Sequence, residues 1–162
     1  MIIDDILRKL EDQEFRIALN DLFIFAAYGR ITPIVKEVRY VDPKRILYIV
    51  WDPLRLQNAL RLFKQGKEPP PSLLTSVIWL GEEFFTVTDG NHRAAACVEL
   101  GINRIKAEIR SRIEFGPDDI RRLVVYQNGL WMRKDEDSYL LLRYFRRPQE
   151  GEIAGEIGIM YM

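Results

Sequence analysis

A single histidine and a single cysteine occur in 162 residues, and that scarcity removes several chemistries at once. An intrachain disulfide needs two cysteines, and a zinc site built from two or more Cys/His pairs needs more ligands than Cys97 and His92 supply. Cys97 lies in the apolar run AAACVEL and reads as a buried, inert thiol, the usual setting of a free cysteine. A Ser-His-Asp triad would have to use His92, and no G-x-S-x-G elbow occurs, so nucleophilic hydrolysis has little support. Net charge is also lacking: 24 Lys+Arg offset 24 Asp+Glu. Neither half is strongly basic, so there is no broad electrostatic footprint for duplex DNA. Long apolar runs are missing too. The longest, LFIFAAY at 22–28, is too short to span a bilayer, and the acidic opening IIDDILRKLEDQEF does not match a signal peptide. The expectation is a soluble, cytoplasmic protein with no membrane partner.

What is present is enough for a core. With 48% hydrophobic and 11% aromatic residues, the chain has the length and composition of a single domain over 1–162. Ile3, Ile6, Leu7, Leu10, Phe15, Ala18, Leu22 and Phe25 recur at helical spacing in the first 30 residues, with Gly29 as a stop. After Pro33, IVKEVRYV is β-branched and roughly alternating, a first strand. Asp52-Pro53 supplies an N-cap acceptor and a ring already fixed at helical φ, so LRLQNALRLFKQG reads as a helix ending at Gly66. The segment DPKRILYIV between them has no clear period. The prolines of KEPPPS deliver the chain extended into two adjacent strands over 73–88. An Ala-rich helix follows from Asn91 to Leu100, closed by Gly101, and NRIKAEIRSRI alternates like a half-buried strand. Beyond it, GPDDIRRLVVYQNG reads as a third helix or, through Asn128-Gly129, as a hairpin. WMRK and SYLLLRYF read as a strand pair around DEDS, and EIAGEIGIMYM as a last extended segment.

The stretch TDGNHRAAA, residues 88–96, draws most of the chemistry to one place. A strand that turns through Asp89-Gly90 directly into a helix leaves backbone N–H groups unpaired at the helix start. Gly90 lets the backbone bend and lets a ligand approach without a Cβ in the way, and the helix terminus offers donors and a partial positive charge to an anion. Arg93 sits in the first turn, where a cation opposes the helix dipole. A phosphate held by Arg93, by His92 and by the N–H groups near Asn91 would reconcile that placement. The alternative is that Arg93 pairs with Asp89 or a glutamate while His92 packs as an ordinary turn histidine. Trp51, just before the Asp52-Pro53 cap, reads as a hydrophobic staple, with a pocket wall as the alternative.

The element order, a strand near 35–41, a helix at 53–65, a Pro-rich link, two strands, D-G-N-H-R, an Ala-rich helix, a glycine and a strand, resembles the ParB/sulfiredoxin-like superfamily. Its shared motif is G-x-x-R at a helix start after a strand, commonly within D-G-x-H-R, and here Asp89, Gly90, His92 and Arg93 match it. The resemblance implies an α+β fold, a small mixed sheet flanked by helices, with a core over 34–112, an N-terminal helical segment over 1–30 and a C-terminal extension over 113–162. It also implies nucleotide phosphates at Gly90, Asn91, His92 and Arg93: relatives bind ATP, CTP or ADP there. Asn91 stands where sulfiredoxin-like proteins need a cysteine, so that chemistry is not expected. The 50 residues beyond 112 are too short and strand-like for the DNA-binding region of the partition proteins. A resemblance to the free serine kinases keeps D-G-x-H-R intact. It implies phosphoryl transfer to a small hydroxyl acceptor, with His92 as acid/base or donor, a carboxylate base at Glu37, Glu82 or Glu83, and Asp89 holding Mg2+. Removing Arg93 is then expected to weaken nucleotide binding with little loss of fold. The competing class is a binding module acting on DNA or a protein partner, or a ParB-like nuclease, for which the clustered carboxylates that metals need are not evident. A homodimer is left open.

Overall fold

The computed structural model describes residues 2–26, 31–79, 81–115, 124–127, 130–133 and 136–137. They divide into two compact units, one of Met1–Arg30, Trp79–Gly81 and Glu114–Met162, the other of Ile31–Ile78 and Glu82–Ile113.

In the first unit the N-terminal helical spacing resolves into two helices, α1 (Ile2–Lys9) and α2 (Gln13–Ala26). The break has a local cause: Asp12 Oδ1 accepts from the Glu14 N–H at 2.9 Å, a side-chain acceptor competing with the helical ladder. Arg16 is buried, and its Nη1 donates to the Leu10 carbonyl at 2.6 Å, at the end of the first helix. Ile6, Leu10, Phe15, Leu19 and Phe23 are buried, and Phe23 meets Trp79 edge to face, with centroids 5.7 Å apart. The same unit holds β5 (Val124–Gln127), β6 (Leu130–Arg133) and β7 (Glu136–Asp137), paired in that order. Val124–Gln127 pairs antiparallel with Leu130–Arg133, so over these residues the hairpin reading holds and the helix reading does not: two valines and a tyrosine favour a strand, and the two-residue Asn128-Gly129 link suits a hairpin. The start of the expected helix, at 116–123, and the segments SYLLLRYF and EIAGEIGIMYM lie outside the described residues, as does Gly29.

The second unit is a four-stranded mixed sheet with helices. β1 (Thr32–Val41), β2 (Ser72–Trp79), β3 (Glu82–Asp89) and β4 (Ile105–Phe115) take the order β1-β4-β2-β3. β1 and β4 are antiparallel, with Arg39 opposite Ala107 and a bulge between Pro33 and Glu37, where a proline cannot donate to the ladder. Thr75 and Ser111 share a 2.8 Å hydroxyl hydrogen bond from β2 to β4. Between β1 and the next helix the chain makes one 3₁₀ turn at Pro43–Arg45. It then runs beside β3 through a single parallel bridge, Ile46 to Phe85. That lone pairing explains why DPKRILYIV carries no period in the sequence.

α3 (Pro53–Lys64) and α4 (Asn91–Glu99) pack against each other. Ala94, Ala95, Ala96 and Cys97 of α4 are buried; their small side chains let the helix sit close to its neighbours, where larger ones would overpack. Ala94, Ala95 and Cys97 join Leu74, Phe85, Ile105, Ala107 and Ile109 from the strands in one core cluster. The alternation of Ile105, Ala107 and Ile109 puts all three on the face that α4 covers. Both helices end on paired carbonyls: the Lys67 N–H reaches Leu62 O and Gly66 reaches Phe63 O after α3, and Ile102 reaches Cys97 O and Gly101 reaches Val98 O after α4, the Schellman pattern.

Candidate functional site

α3 starts with one backbone donor capped and another replaced by proline. Asp52 is its N-cap, with extended backbone, and its Oδ1 accepts from the Leu54 N–H at 3.0 Å while Pro53 occupies the first helical position. α4 starts differently. Gly90 caps it in a left-handed conformation, φ 115° and ψ 21°, and no side chain among the described residues caps the turn. Only glycine fits there. A Cβ on Gly90 would lie 2.5 Å from Ser72 Oγ and 2.7 Å from Ser72 Cβ, and the positive φ is itself costly for any residue with a side chain. Ser72 Oγ is buried and has no hydrogen-bond partner among the described residues. The tight approach of β2 to the turn thus fixes where α4 begins.

The first-turn side chains of α4 fasten it to the rest of the unit. Asn91 Oδ1 accepts from the Ile49 N–H at 3.0 Å, and His92 Nε2 accepts from the Asp52 N–H at 3.2 Å. His92 is therefore neutral with its proton on Nδ1. Burial holds its pKa below the ordinary value, assisted by Arg55 and opposed by Asp52. Arg93 Nη1 donates to the carbonyls of Pro70 at 2.6 Å and Pro71 at 3.2 Å, and its Nη2 lies 3.0 Å from Asp89 Oδ2. An arginine in the first turn is thus balanced by a carboxylate and the two proline carbonyls. Because those bonds pin the link between α3 and β2, loss of Arg93 is expected to cost stability as well as binding, contrary to the expectation from sequence.

These residues open on a cavity of about 630 Å³. Asp89, Gly90, Asn91, His92 and Arg93 form one wall, and Trp51, Leu54, Arg55 and Asn58 form the other. Trp51 is 57% exposed and meets His92 edge to face, with centroids 5.0 Å apart and planes at 68°. It is a pocket wall, not a staple. The Arg55 guanidinium lies 4.6 Å from the Trp51 ring centre.

Asp89, Gly90, Asn91, His92 and Arg93, singled out from the sequence, line this cavity; Glu37 does not. It lies on β1, 2.9 Å from Arg39 Nε, and does not line the cavity. Neither do Glu82, paired with Arg45 at 2.9 Å, and Glu83. Burial would raise the pKa of Glu83, but hydrogen bonds from Arg39 and Ser76 and the charges of Arg39 and Arg112 outweigh it and lower it. A carboxylate so paired is a poor base. Cys97 is buried, and burial pushes its thiol up to about 11; at neutral pH it carries no thiolate. The described residues include no group of three His, Cys, Asp or Glu side chains that could hold a metal ion, and Asp89 is paired with Arg93. No helix among them is long and apolar enough to cross a membrane. Arg55 and Asn58 were not singled out, although with Leu54 and Leu62 they follow the i, i+3, i+4 spacing of one helix face. No protein-family model matches the chain, and no curated protein matches it significantly.

Proposed function

We propose that this cavity binds a phosphate-bearing ligand, a nucleotide, with its phosphates at the first turn of α4, in a domain of the ParB/sulfiredoxin-like type. The observation that carries the reading is the uncapped α4 start on Gly90, where the absence of a Cβ and of a capping side chain leaves the first-turn N–H groups to face a cavity of about 630 Å³. Unpaired N–H groups and the helix dipole favour an anion there. Arg55 lines the same cavity and adds guanidinium donors; Arg93 lines it too and adds positive charge, with Nη1 and Nη2 shared with Pro70, Pro71 and Asp89. The order β1, α3, β2, β3, α4, β4 with D-G-N-H-R at the last turn into a helix supports the fold assignment.

For magnesium the fit is poorer. Asp89 alone cannot build a metal site, so any ion would arrive on the ligand's phosphates and be shared with that carboxylate, as magnesium commonly is. The candidate bases for phosphoryl transfer are engaged elsewhere: Glu37, Glu82 and Glu83 are ion-paired outside the cavity, and His92 Nε2 is engaged by the Asp52 N–H. Binding, not turnover, is what the geometry supports.

Melting temperatures with ATP, ADP, CTP, pyrophosphate and phosphate, with and without Mg2+, test this reading. At a ligand concentration 100-fold above Kd the wild type should gain roughly 5–10 °C, and Arg93→Lys, which keeps the charge and loses the fork, should gain much less. No shift with any of these ligands would overturn the proposal. Binding to DNA oligonucleotides with a steep salt dependence, and none to mononucleotides, would favour the DNA-binding module.

A further inference from the structure

Two large apolar residues, Trp51 and Leu54, stand 57% and 73% exposed on the α3 wall of the same cavity. Exposing an indole forgoes a large burial gain, and in this chain Trp79 is 1% exposed. The indole of Trp51 is also held in place. It meets His92 edge to face, and His92 accepts from the Asp52 N–H, so ring, helix cap and α4 turn are linked by direct contacts. Arg55 is more loosely placed: its guanidinium stacks at 4.6 Å from the indole centre, its ion pair with Asp52 is long at 3.6 Å, and its side chain is 64% exposed. Asn58 lies one helical turn beyond Leu54, on the same wall; its Oδ1 accepts from Arg61 Nη2 at 2.6 Å, which orients the amide, and its NH2 group is a donor for a base edge.

We propose that Trp51 is the platform on which the planar base of the bound nucleotide stacks, with Arg55 as a movable cover and Asn58 at the base edge. The inference rests on the phosphate site at α4, and it commits the cavity to a nucleotide rather than to free phosphates. Aromatic stacking tolerates any base, because every base has a π face. The platform therefore supplies affinity for the base without choosing which one, and a guanidinium adds a cation–π contribution.

The test compares ATP and CTP with tripolyphosphate, which has the charge and no base, on wild type, Trp51→Phe and Trp51→Ala. Nucleotide affinity should fall roughly ten- to hundredfold in Trp51→Ala, the range that base stacking supplies. It should survive largely intact in Trp51→Phe, while tripolyphosphate affinity stays within about twofold throughout. Saturating nucleotide should also quench tryptophan fluorescence in the wild type and not in Trp51→Phe. Nucleotide binding unchanged in Trp51→Ala would overturn the platform and leave the phosphate site standing. An equal loss for nucleotide and tripolyphosphate would make Trp51 a support of the turn and also overturn it. A wild type that binds neither class of ligand would remove the phosphate site and the platform together.

Discussion

The two helices that flank the cavity begin in opposite ways. α3 opens on Asp52-Pro53, where a carboxylate accepts from the Leu54 N–H and a proline replaces the first donor; little is left for a ligand to satisfy. α4 opens on a left-handed glycine with no side-chain cap. Its side chains are turned to other work: Asn91 and His92 accept backbone N–H groups from Ile49 and Asp52, and Arg93 holds two proline carbonyls. The side chains thus secure the position of the helix, while no side chain among the described residues caps its first backbone donors. A helix end stabilised from outside in this way can remain uncapped, which is what the proposed anion site requires.

The contrast can be broken most severely at Gly90. Gly90→Ala places a methyl 2.5 Å from Ser72 Oγ at φ 115°, combining overpacking with left-handed strain, and should destabilise by about 2–5 kcal/mol in urea denaturation. Adding Ser72→Gly should recover the overlap and not the strain. Next is Asn91→Ala, which strands the part-buried Ile49 N–H and should cost about 1–3 kcal/mol. Asp52→Ala removes the α3 cap at a cost of about 1 kcal/mol and should leave ligand binding at α4 in place. If Asp52→Ala abolished binding while Asn91→Ala did not, the assignment of roles to the two helix starts would be reversed.

Acidification gives a smaller and more selective effect. His92 binds its proton more weakly folded than unfolded. Below the ordinary histidine pKa of about 6.5 the unfolded chain takes up a proton that the folded chain refuses, so stability falls as pH falls through that region. Glu83, whose folded pKa is depressed, adds a second loss at lower pH, as the carboxylate is protonated. His92→Gln keeps an acceptor for the Asp52 N–H and does not titrate; urea midpoints measured from pH 7.5 to 5.5 should be flatter in this variant than in the wild type. The smallest change expected is Ser72→Ala. Its hydroxyl has no hydrogen-bond partner among the described residues, so removing it should leave stability unchanged or raise it by up to about 1 kcal/mol.

The features legible in the sequence are those whose cause is local. Asp52-Pro53 announced α3, Gly66 and Gly101 the two helix ends, and the alternation of Ile105, Ala107 and Ile109 one buried face of β4. The D-G-N-H-R turn was found for the same reason: strand, glycine and helix adjoin along the chain. What escaped depends on contacts between distant residues. Trp51 read as a staple because position and residue type fit one, yet its partner is His92, which no local rule could supply. The partners of Arg93 were missed because they are carbonyls of Pro70 and Pro71, and a backbone acceptor leaves no mark in residue type. Glu37 fit the demand for a base in chemistry alone; the sheet gives it to Arg39.

The uncapped start of α4 is tested most directly by its own amide resonances. In a titration of the 15N-labelled protein with pyrophosphate, the amides of Asn91, His92 and Arg93 should shift downfield together and saturate, while those of Leu54 and Arg55 at the capped start of α3 move far less. Equal shifts at both helix starts, or none at Asn91 to Arg93 at saturating pyrophosphate, would contradict the account.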